Sequence, residues 1–439
     1  MEKNLSERKR KEKEIRNAII YQTLRKNVIF SNDNQNNQNF SFSTKLKNAA
    51  NIIKFNLLSR CLKTKYPEKT KIKIYNKEYN LRNENEKREF ESYLRNIIYF
   101  SYRNNYPIQK SYKNNNEYNS DCGWGCMIRS SQMILAKAIY EILNYEKNNN
   151  SILNTIILFI EYPINYNENI PDTFINFKLK IQEIFQNNNE NNDNKISKIY
   201  SPFSIKIICS IGQIINKTCG EWFSDVNLPY IFKIINKHYN IFPKLKIIPF
   251  QTNIIISKII KKCFIESNDD LTEDNYFLFN NKKYVFQNYG LIFVSVRIGL
   301  NSIDRNYYAS IKNLFNCNEC IGFTGGKNFS ATYFVGYDER HLLYLDPHFS
   351  QDSINPPLNN NNIESYLNKI LFQLPIEKLQ PAFTIGFLIR NLNEFKDLYK
   401  FFNEYSKKEY SSFFIQENES IKKNLTEEDK NFQNNEDDF

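Results

Sequence analysis

A cysteine in the segment 121–132 has surroundings that suit nucleophilic chemistry. The segment reads Asp-Cys-Gly-Trp-Gly-Cys-Met-Ile-Arg-Ser-Ser-Gln. Its two glycines permit a sharp turn, and residues 126–143 contain neither Gly nor Pro, so we predict a helix that begins at or next to Cys126. Unpaired N–H groups and the positive end of the helix dipole favour a thiolate there. A buried structural cysteine is the alternative interpretation.

A thiolate enzyme also needs a proton acceptor, and the chain contains only His238, His341 and His348. We predict His238 at the exposed C-terminal end of a helix and His341 in a solvated polar turn. His348 follows the apolar run 342–345 in the tripeptide Asp-Pro-His, where Asp346 can orient the imidazole and hold its tautomer. Asp-Pro turns are common at strand ends, so this tripeptide alone is a weak signal.

The two segments together resemble the autophagy cysteine peptidases, or autophagins. The family has Gly-Trp-Gly-Cys-Met-x-Arg-x-x-Gln-Met around its nucleophile, and residues 123–133 match it at every fixed position. The family's Asp-Pro-His-x-x-Gln appears at residues 346–351. The resemblance implies a papain-like fold in which Cys126 is the nucleophile, His348 the base and Asp346 the residue that orients the base.

Two further segments extend this resemblance. Residues 98–107 are similar to the family's Trp-Phe-x-Tyr-Arg-Lys-Asn-Phe-Pro block, which implies that the Tyr102 hydroxyl faces the developing oxyanion. Residues 220–223 match Gly-x-Trp-Tyr, which implies that Trp222 covers the cleft until substrate displaces it. On local sequence alone, Trp222 fits an ordinary half-buried aromatic residue equally well.

A fifth segment, residues 322–337, is similar to the family's mobile loop and the strand before Asp-Pro-His. It contains Gly325 and Gly326, which we expect to line the substrate cleft together with Trp222. The sequence has Asn328 where the family usually has Pro. Without the proline, we expect this loop to be less stiff than in the family, which bears on its gating role.

The apolar patterning predicts an α+β domain with helices early and an antiparallel sheet late. The helix at 126–143 is apolar on nearly every side, as expected at the centre of a domain. An amphipathic helix is predicted at 392–405. Runs of β-branched and aromatic residues with strand length occur at 291–297, 331–337, 342–345 and 383–389. The nucleophile is thus predicted at a helix N-terminus and the base on the sheet.

The domain organisation follows from composition. We interpret residues 1–65 as a basic, partly disordered N-terminal extension and residues 406–439 as a mobile tail. By the resemblance, we expect residues 70–405 to form one papain-like catalytic domain, and we interpret its Asn-rich stretches as surface insertions. The N-terminal extension contains Tyr-Gln-Thr-Leu at residues 21–24, which fits a short motif for ubiquitin-like modifiers but also one turn of an amphipathic helix.

The net charge of +11 does not indicate a nucleic-acid-binding protein, because Lys is spread along the chain and no nucleic-acid-binding motif occurs. The basic cluster at residues 8–11 suits either a solvated arm or transient contact with an anionic membrane surface. The N-terminus lacks an apolar signal core, so we expect a cytoplasmic protein whose eight cysteines form no disulfide framework.

The sequence therefore predicts a cysteine protease that needs no cofactor. By resemblance, it cleaves after a glycine near the C-terminus of a ubiquitin-like autophagy modifier and releases the modifier from phosphatidylethanolamine. One alternative is a catalytically silent protein that binds the modifier. A second is a zinc-binding structural protein, because Cys122 and Cys126 could join the Cys-x-x-Cys pair Cys317 and Cys320 as ligands.

Overall fold

Helices and strands occupy most of the chain that the computed structural model describes, which is residues 71–165, 170–186, 198–327, 330–368 and 370–418. The predicted N-terminal extension and residues 21–24 lie outside these ranges. The helices are α1 (Glu84–Arg95), α2 (Cys126–Tyr145), α3 (Ser151–Ile156), α4 (Ile175–Gln186), α5 (Ile205–Gly212), α6 (Asn227–Tyr239), α7 (Ile256–Cys263), α8 (Tyr307–Asn313) and α9 (Leu392–Ser406).

The strands are, in chain order, β1 (Lys71–Ile74), β2 (Lys77–Asn80), β3 (Tyr102–Asn104), β4 (Gln109–Lys110), β5 (Glu117–Tyr118), β6 (Ile164–Asn165), β7 (Lys198–Ile199), β8 (Leu245–Gln251), β9 (Asn253–Ile255), β10 (Phe264–Ser267), β11 (Phe277–Phe279), β12 (Lys282–Phe286), β13 (Tyr289–Arg297), β14 (Cys320–Lys327), β15 (Ser330–Tyr337), β16 (His341–Leu345), β17 (Ser350–Asp352), β18 (Phe372–Pro375), β19 (Ala382–Ile389) and β20 (Phe414–Gln416).

A nine-stranded mixed sheet organises these elements. Its main path runs β18, β16, β15, β14, β19, β13 and β8, and the β1–β2 hairpin pairs with β15. The prediction of an antiparallel sheet needs correction at one edge, because β8 pairs with β13 in parallel. Parallel pairing requires a long crossover connection, which α7 and the β10–β12 segment provide. β8 contains Pro249, whose missing N–H is tolerated on an edge strand.

Both faces of this sheet are buried. In β13, Leu291 and Phe293 belong to the core that α2, α5 and α6 share, whereas Ile292 and Val294 belong to the core shared by α7, α8 and α9. A sheet that is covered on both faces has strands with continuous apolar runs instead of alternating ones. This explains why composition alone identified the four predicted strands, which β13, β15, β16 and β19 confirm.

Helix α2 lies at the centre of the domain, as predicted, and packs across β14 and β15. At position 386 of β19, the close approach between α2 and the sheet requires a residue without a side chain, and this residue is Gly386. A Cβ atom there would lie 2.9 Å from Ile134 Cγ2 of α2 and 3.1 Å from Ile321 Cγ1. The spacing between the central helix and the sheet thus depends on this glycine.

The chain remains packed beyond the predicted domain boundary at residue 405. β20 pairs in parallel with β9, and the Ser257 amide donates a hydrogen bond to the Glu417 carbonyl. The sequence placed these residues in the mobile tail because a three-residue strand has little pattern of its own. None of the helices in the described ranges combines the length and apolar composition that a bilayer span requires.

We expect Gly386→Ala to lower the free energy of unfolding by about 1–3 kcal/mol, because the added methyl group overpacks the contact with α2. Ile134→Ala removes the side chain that this methyl group meets. The double variant should therefore be more stable than the sum of the two single effects predicts. Urea unfolding of the four proteins measures this coupling, and strictly additive free energies would contradict it.

Candidate active site

Cys126 is the first residue of α2, and the turn before it is held by the backbone of Asp121. The Asp121 carbonyl accepts hydrogen bonds from the amides of Trp124 (3.2 Å) and Gly125 (2.9 Å). Gly123 has a φ of 85°, in the left-handed region that favours glycine. A Cβ atom on Gly125 would collide with the Asp121 carboxylate. The two glycines of the sequence motif are therefore required by the path of the chain into the helix.

The Asp121 side chain connects this turn to a buried ion network. Its Oδ2 accepts a hydrogen bond from Arg129 Nε (2.8 Å), and its Oδ1 accepts one from the Arg103 amide (2.7 Å). Arg129 Nη1 donates to Glu161 Oε1 (2.7 Å), and Glu161 Oε2 accepts from the Ile205 amide at the start of α5 (3.0 Å). All three charged side chains are completely buried. Each charge is paired and hydrogen-bonded, which is the condition under which buried charges are tolerated.

Asp346 and His348 lie directly after β16, in the connection that leads to β17. Tyr99 Oη donates a hydrogen bond to the Asp346 carbonyl (2.5 Å), and the Tyr102 amide donates to the Pro347 carbonyl (2.9 Å). Directly afterwards, β17 pairs in parallel with β3, which begins at Tyr102. The segment that carries the histidine is thus fixed against the segment that carries Tyr102.

These elements bring the four predicted catalytic side chains together. His348 Nδ1 lies 2.5 Å from Asp346 Oδ1, and the His348 amide donates to the same oxygen (3.0 Å). The Cys126 side chain lies close enough to the imidazole to contribute to its pKa shift. It also contributes to the pKa shift of Tyr102, whose ring lies edge-on to the His348 ring with centroids 5.4 Å apart. The thiol therefore has an imidazole and a phenol hydroxyl as partners.

The electrostatics of this group favour a charged imidazole. Burial acts to lower the pKa of His348, but the hydrogen bonds to Asp346 and Cys126 outweigh it and raise the pKa to about 10. Burial, followed by the neighbouring Cys126, raises the pKa of Tyr102, so its hydroxyl remains a hydrogen-bond donor near neutral pH. The arrangement places the thiol beside a charged imidazole and a neutral donor, which suits nucleophilic attack on a carbonyl carbon.

The other two histidines occupy different surroundings from those predicted. His238 does lie in the last turn of α6, but it is half-buried, and burial lowers its pKa to about 4. His341 is the first residue of β16, at the opposite end from Asp346, and was predicted to be solvated. Its Nδ1 lies 3.1 Å from Asp338 Oδ1, so a carboxylate neighbour is not unique to His348. The turn at residues 338–341 creates this contact, which requires the folded chain.

Trp222 is 40% exposed and lies in the loop between α5 and α6. Two residues earlier, Gly220 has a φ of 84° and sits so close to Tyr118 that a Cβ atom would collide with its ring. The Tyr118 ring lies edge-on to Trp124, with centroids 5.8 Å apart. Trp124 precedes Cys126 by two residues, so Tyr118 connects the loop that presents Trp222 to the turn before Cys126.

Gly325 and Gly326 lie within β14 and not in a loop, in contrast to the expectation. Gly325 is paired with both β15 and β19, and a Cβ atom on Gly326 would collide with the Gln380 side chain. The neighbouring Thr384 of β19 donates to Asp225 Oδ2 in the Trp222 loop (3.2 Å). Tyr333 of β15 is in register with Leu345, so the β14–β15 hairpin extends past the end of β16 that leads to Asp346.

The cysteines do not form the alternative zinc site. Cys122 Sγ lies 3.3 Å from both Asn104 Oδ1 and Ser350 Oγ, whereas Cys317 Sγ lies 3.2 Å from Glu319 Oε2. In the ranges that the structure describes, no group of three or more His, Cys, Asp or Glu side chains is arranged to hold a metal ion. The zinc interpretation thus has no structural support.

Comparison with known proteins agrees with this geometry. The sequence profile of the peptidase C54 catalytic domain matches residues 87–401. The chain belongs to the peptidase C54 family. It is similar to cysteine protease ATG4D of Xenopus laevis, with 24% identity over 81% of this chain and 76% of that protein. Cysteine protease ATG4 of Candida albicans is 28% identical over 69% of this chain and 55% of its own length.

Human cysteine protease ATG4C is 24% identical over 74% of each chain. The predicted resemblance to the autophagins is therefore confirmed, and the C54 peptidase is a cysteine protease. The matched region contains all the predicted site residues, from Tyr102 to His348. The ion network of Asp121, Arg129 and Glu161 was not found from the sequence. The available signal was Arg129 itself, a charge on a helix that is otherwise apolar on nearly every side.

We expect Arg129→Met to lower the free energy of unfolding by about 3–5 kcal/mol, because it leaves two buried carboxylates without their counter-charge. Burial already raises the pKa of Glu161 to about 7, although Arg129 opposes this effect. Without Arg129, the folded protein binds a proton at Glu161 more tightly than the unfolded chain does, so the variant regains stability as the pH falls.

Denaturant unfolding as a function of pH measures this loss. Arg88→Met is a suitable control, because Arg88 is exposed on α1 and its replacement should change stability by no more than ~0.5 kcal/mol. A loss that does not diminish toward acid pH would show that the network is stabilised by packing and not by charge.

Proposed function

We propose that this C54 peptidase hydrolyses the amide bond after a glycine near the C-terminus of a small ubiquitin-like autophagy modifier. We assign it a papain-like architecture, which the family implies, and a cytoplasmic location. The observation that carries the proposal is the buried group of Cys126, His348 and Tyr102, in which Asp346 contacts the imidazole at Nδ1 and Cys126 contributes to the pKa shifts of both neighbours. A protein that only binds the modifier has no need of this arrangement.

In the proposed mechanism, the Cys126 thiolate attacks the glycine carbonyl. The Tyr102 hydroxyl and the Cys126 amide donate hydrogen bonds to the oxyanion, each worth ~2.7–4 kcal/mol in comparable enzymes. His348 then protonates the leaving amine, and in the second step it removes a proton from the water that releases the acylated glycine. Asp346 stabilises the imidazolium and fixes its tautomer throughout both steps.

The same chemistry extends to the lipid-linked form of the modifier. In the conjugate, the glycine carboxyl forms an amide with the amine of phosphatidylethanolamine, so only the leaving amine differs from that of the precursor. We therefore propose that the enzyme acts on both forms and makes transient contact with the membrane surface. The exposed side chain of Trp222 and the hairpin that contains Gly325 and Gly326 are the proposed walls of the glycine-binding cleft.

Replacement of the nucleophile and base gives the direct test of this function. Cys126→Ser and His348→Ala should each abolish cleavage of a modifier precursor, because the first removes the thiolate and the second the proton carrier. His341→Ala is a matched control, since this histidine also has a carboxylate neighbour but lies at the other end of β16.

The measurement is the mass of the product after incubation with a precursor, and separately with vesicles that carry the lipid-linked modifier. Wild type and His341→Ala should yield modifier that ends in glycine. If Cys126→Ser cleaves normally, the nucleophile is elsewhere. If wild type binds the precursor but never cleaves it, the protein is a modifier-binding protein without catalytic activity.

A second prediction concerns the pH dependence. The imidazolium is present below the His348 pKa of about 10, so the alkaline limb of kcat/KM should fall only near that pH. Asp346 helps to raise this pKa, and Asp346→Asn should therefore move the alkaline limb to lower pH. The loss of tautomer control should also reduce kcat by about 10²- to 10⁴-fold. An unchanged pH profile in the variant would exclude Asp346 as the orienting residue.

A further inference from the structure

A second concave site lies at the opposite end of the sheet from Cys126 and His348. It is a cavity of about 460 Å³ between the C-terminal ends of α6 and α7, the start of β8 and the turn before β13. The first residues of β8 and β13 are paired there, whereas the other end of β13 pairs with the start of β19, next to Gly325. A ligand in this cavity would leave the catalytic end of the sheet accessible.

The lining of this cavity is strongly basic. It contains the side chains of five lysines, which are Lys233, Lys237, Lys246, Lys261 and Lys262. No acidic residue lines the cavity in the part of the chain that the structure describes. The complete chain has 48 acidic against 59 basic residues, so a lining with basic residues alone is a local feature and does not follow from the net charge. We call this site the lysine cleft.

The presence of five lysines in the lysine cleft is not explained by compensation of the negative ends of the helix dipoles. The C-terminal carbonyls of α7 already have donors, because the Asn288 side chain donates to the Lys262 carbonyl and the amides at 287 and 288 donate to the Cys263 carbonyl. Each helix end carries only about half a negative charge. Two of the lysines are outside the last helical turns, since Lys233 is within α6 and Lys246 is on β8.

The walls of the lysine cleft are fixed before any ligand arrives. The buried Asn236 side chain accepts a hydrogen bond from the Phe242 amide (3.1 Å) and donates to the carbonyls of Phe242 (3.2 Å) and Leu245 (3.0 Å). This holds the loop between α6 and β8. Lys246 Nζ donates to the Pro243 carbonyl in the same loop (2.7 Å). Apolar side chains of this loop and of β8 supply the rest of the lining.

We propose that the lysine cleft binds a small molecule or lipid headgroup that carries several phosphate groups. Lysine ammonium groups bind phosphate as mobile point charges, and the cavity has the size of a small-molecule site. Fixed walls with charges on flexible stems suit a compact polyanion. The ligand could be a free polyphosphorylated compound or a phosphorylated lipid, and these two sources share the same recognition chemistry.

The test uses the whole protein and inositol hexakisphosphate as the probe. The triple variant Lys237→Gln, Lys246→Gln, Lys261→Gln should weaken binding by at least ~10-fold at physiological ionic strength, because direct phosphate contacts are lost. The control triple variant replaces Lys378, Lys400 and Lys407 by Gln. These side chains are exposed outside the cleft, and the control removes the same number of charges. Calorimetric titration should show nearly wild-type affinity for the control.

Vesicles distinguish the two sources. If wild type binds phosphatidylcholine vesicles that contain phosphatidylinositol 4,5-bisphosphate and the cleft variant does not, the ligand is a lipid headgroup. Cleft-dependent binding of the soluble probe without vesicle binding indicates a free polyphosphate. Either result supports the proposal. Equal loss in both triple variants, or the absence of binding by wild type, would overturn it. A polyglutamate peptide that binds the cleft as tightly as the probe would also overturn it and indicate an acidic protein segment.

Chemical acetylation of wild type gives a readout that needs no variant. The probe should slow modification of Lys237, Lys246 and Lys261 and leave Lys378, Lys400 and Lys407 unaffected. Cleavage of a soluble precursor should proceed at the wild-type rate in the cleft variant, which also verifies that the variant is folded. Uniform protection of all six lysines would show nonspecific association and contradict the proposal.

Discussion

The buried ion pair between Asp121 and Arg129 is the interaction on which the rest of the catalytic geometry depends. Its carboxylate joins the start of α2 to the Arg103 amide of β3, the strand that begins with Tyr102. β3 in turn pairs with β17, which follows His348. One buried group thus connects the segments that carry Cys126, Tyr102 and His348. Because it is shielded from water, a small displacement of either charge has a large cost in free energy.

The protonation state of His348 also depends on the burial of the site. Burial by itself favours the neutral imidazole, as the lowered pKa of His238 illustrates. His348 instead favours the charged form, because its interactions with Asp346 and Cys126 outweigh burial. The protein therefore shields this group from water and still keeps the imidazole charged beside the Cys126 side chain.

The sheet separates two sites with different chemistry. Its strands lead to the segment with Asp346 and His348 at one end and to the lysine cleft at the other, and α2 and the sheet's buried faces fill the space between them. A polyanion bound in the lysine cleft could retain the enzyme near the polyanion and so change the local concentration of the enzyme. The substrate cleft would stay unoccupied. Cleavage and polyanion binding are then properties that can be measured and changed separately.

Features that depend on local pattern could be predicted from the sequence. Two glycines and a long stretch without Gly or Pro predicted the helix start at Cys126, apolar runs predicted the central strands, and the motifs singled out Tyr102, Asp346 and His348. Features that depend on distant partners became visible in the folded chain alone. These include the parallel β8 edge, the ion network of Arg129, and the burial of Gly325 within a strand. Strand pairing and the pairing of buried charges are set by register and by which side chains meet in the core, and a local segment carries no record of its distant neighbours.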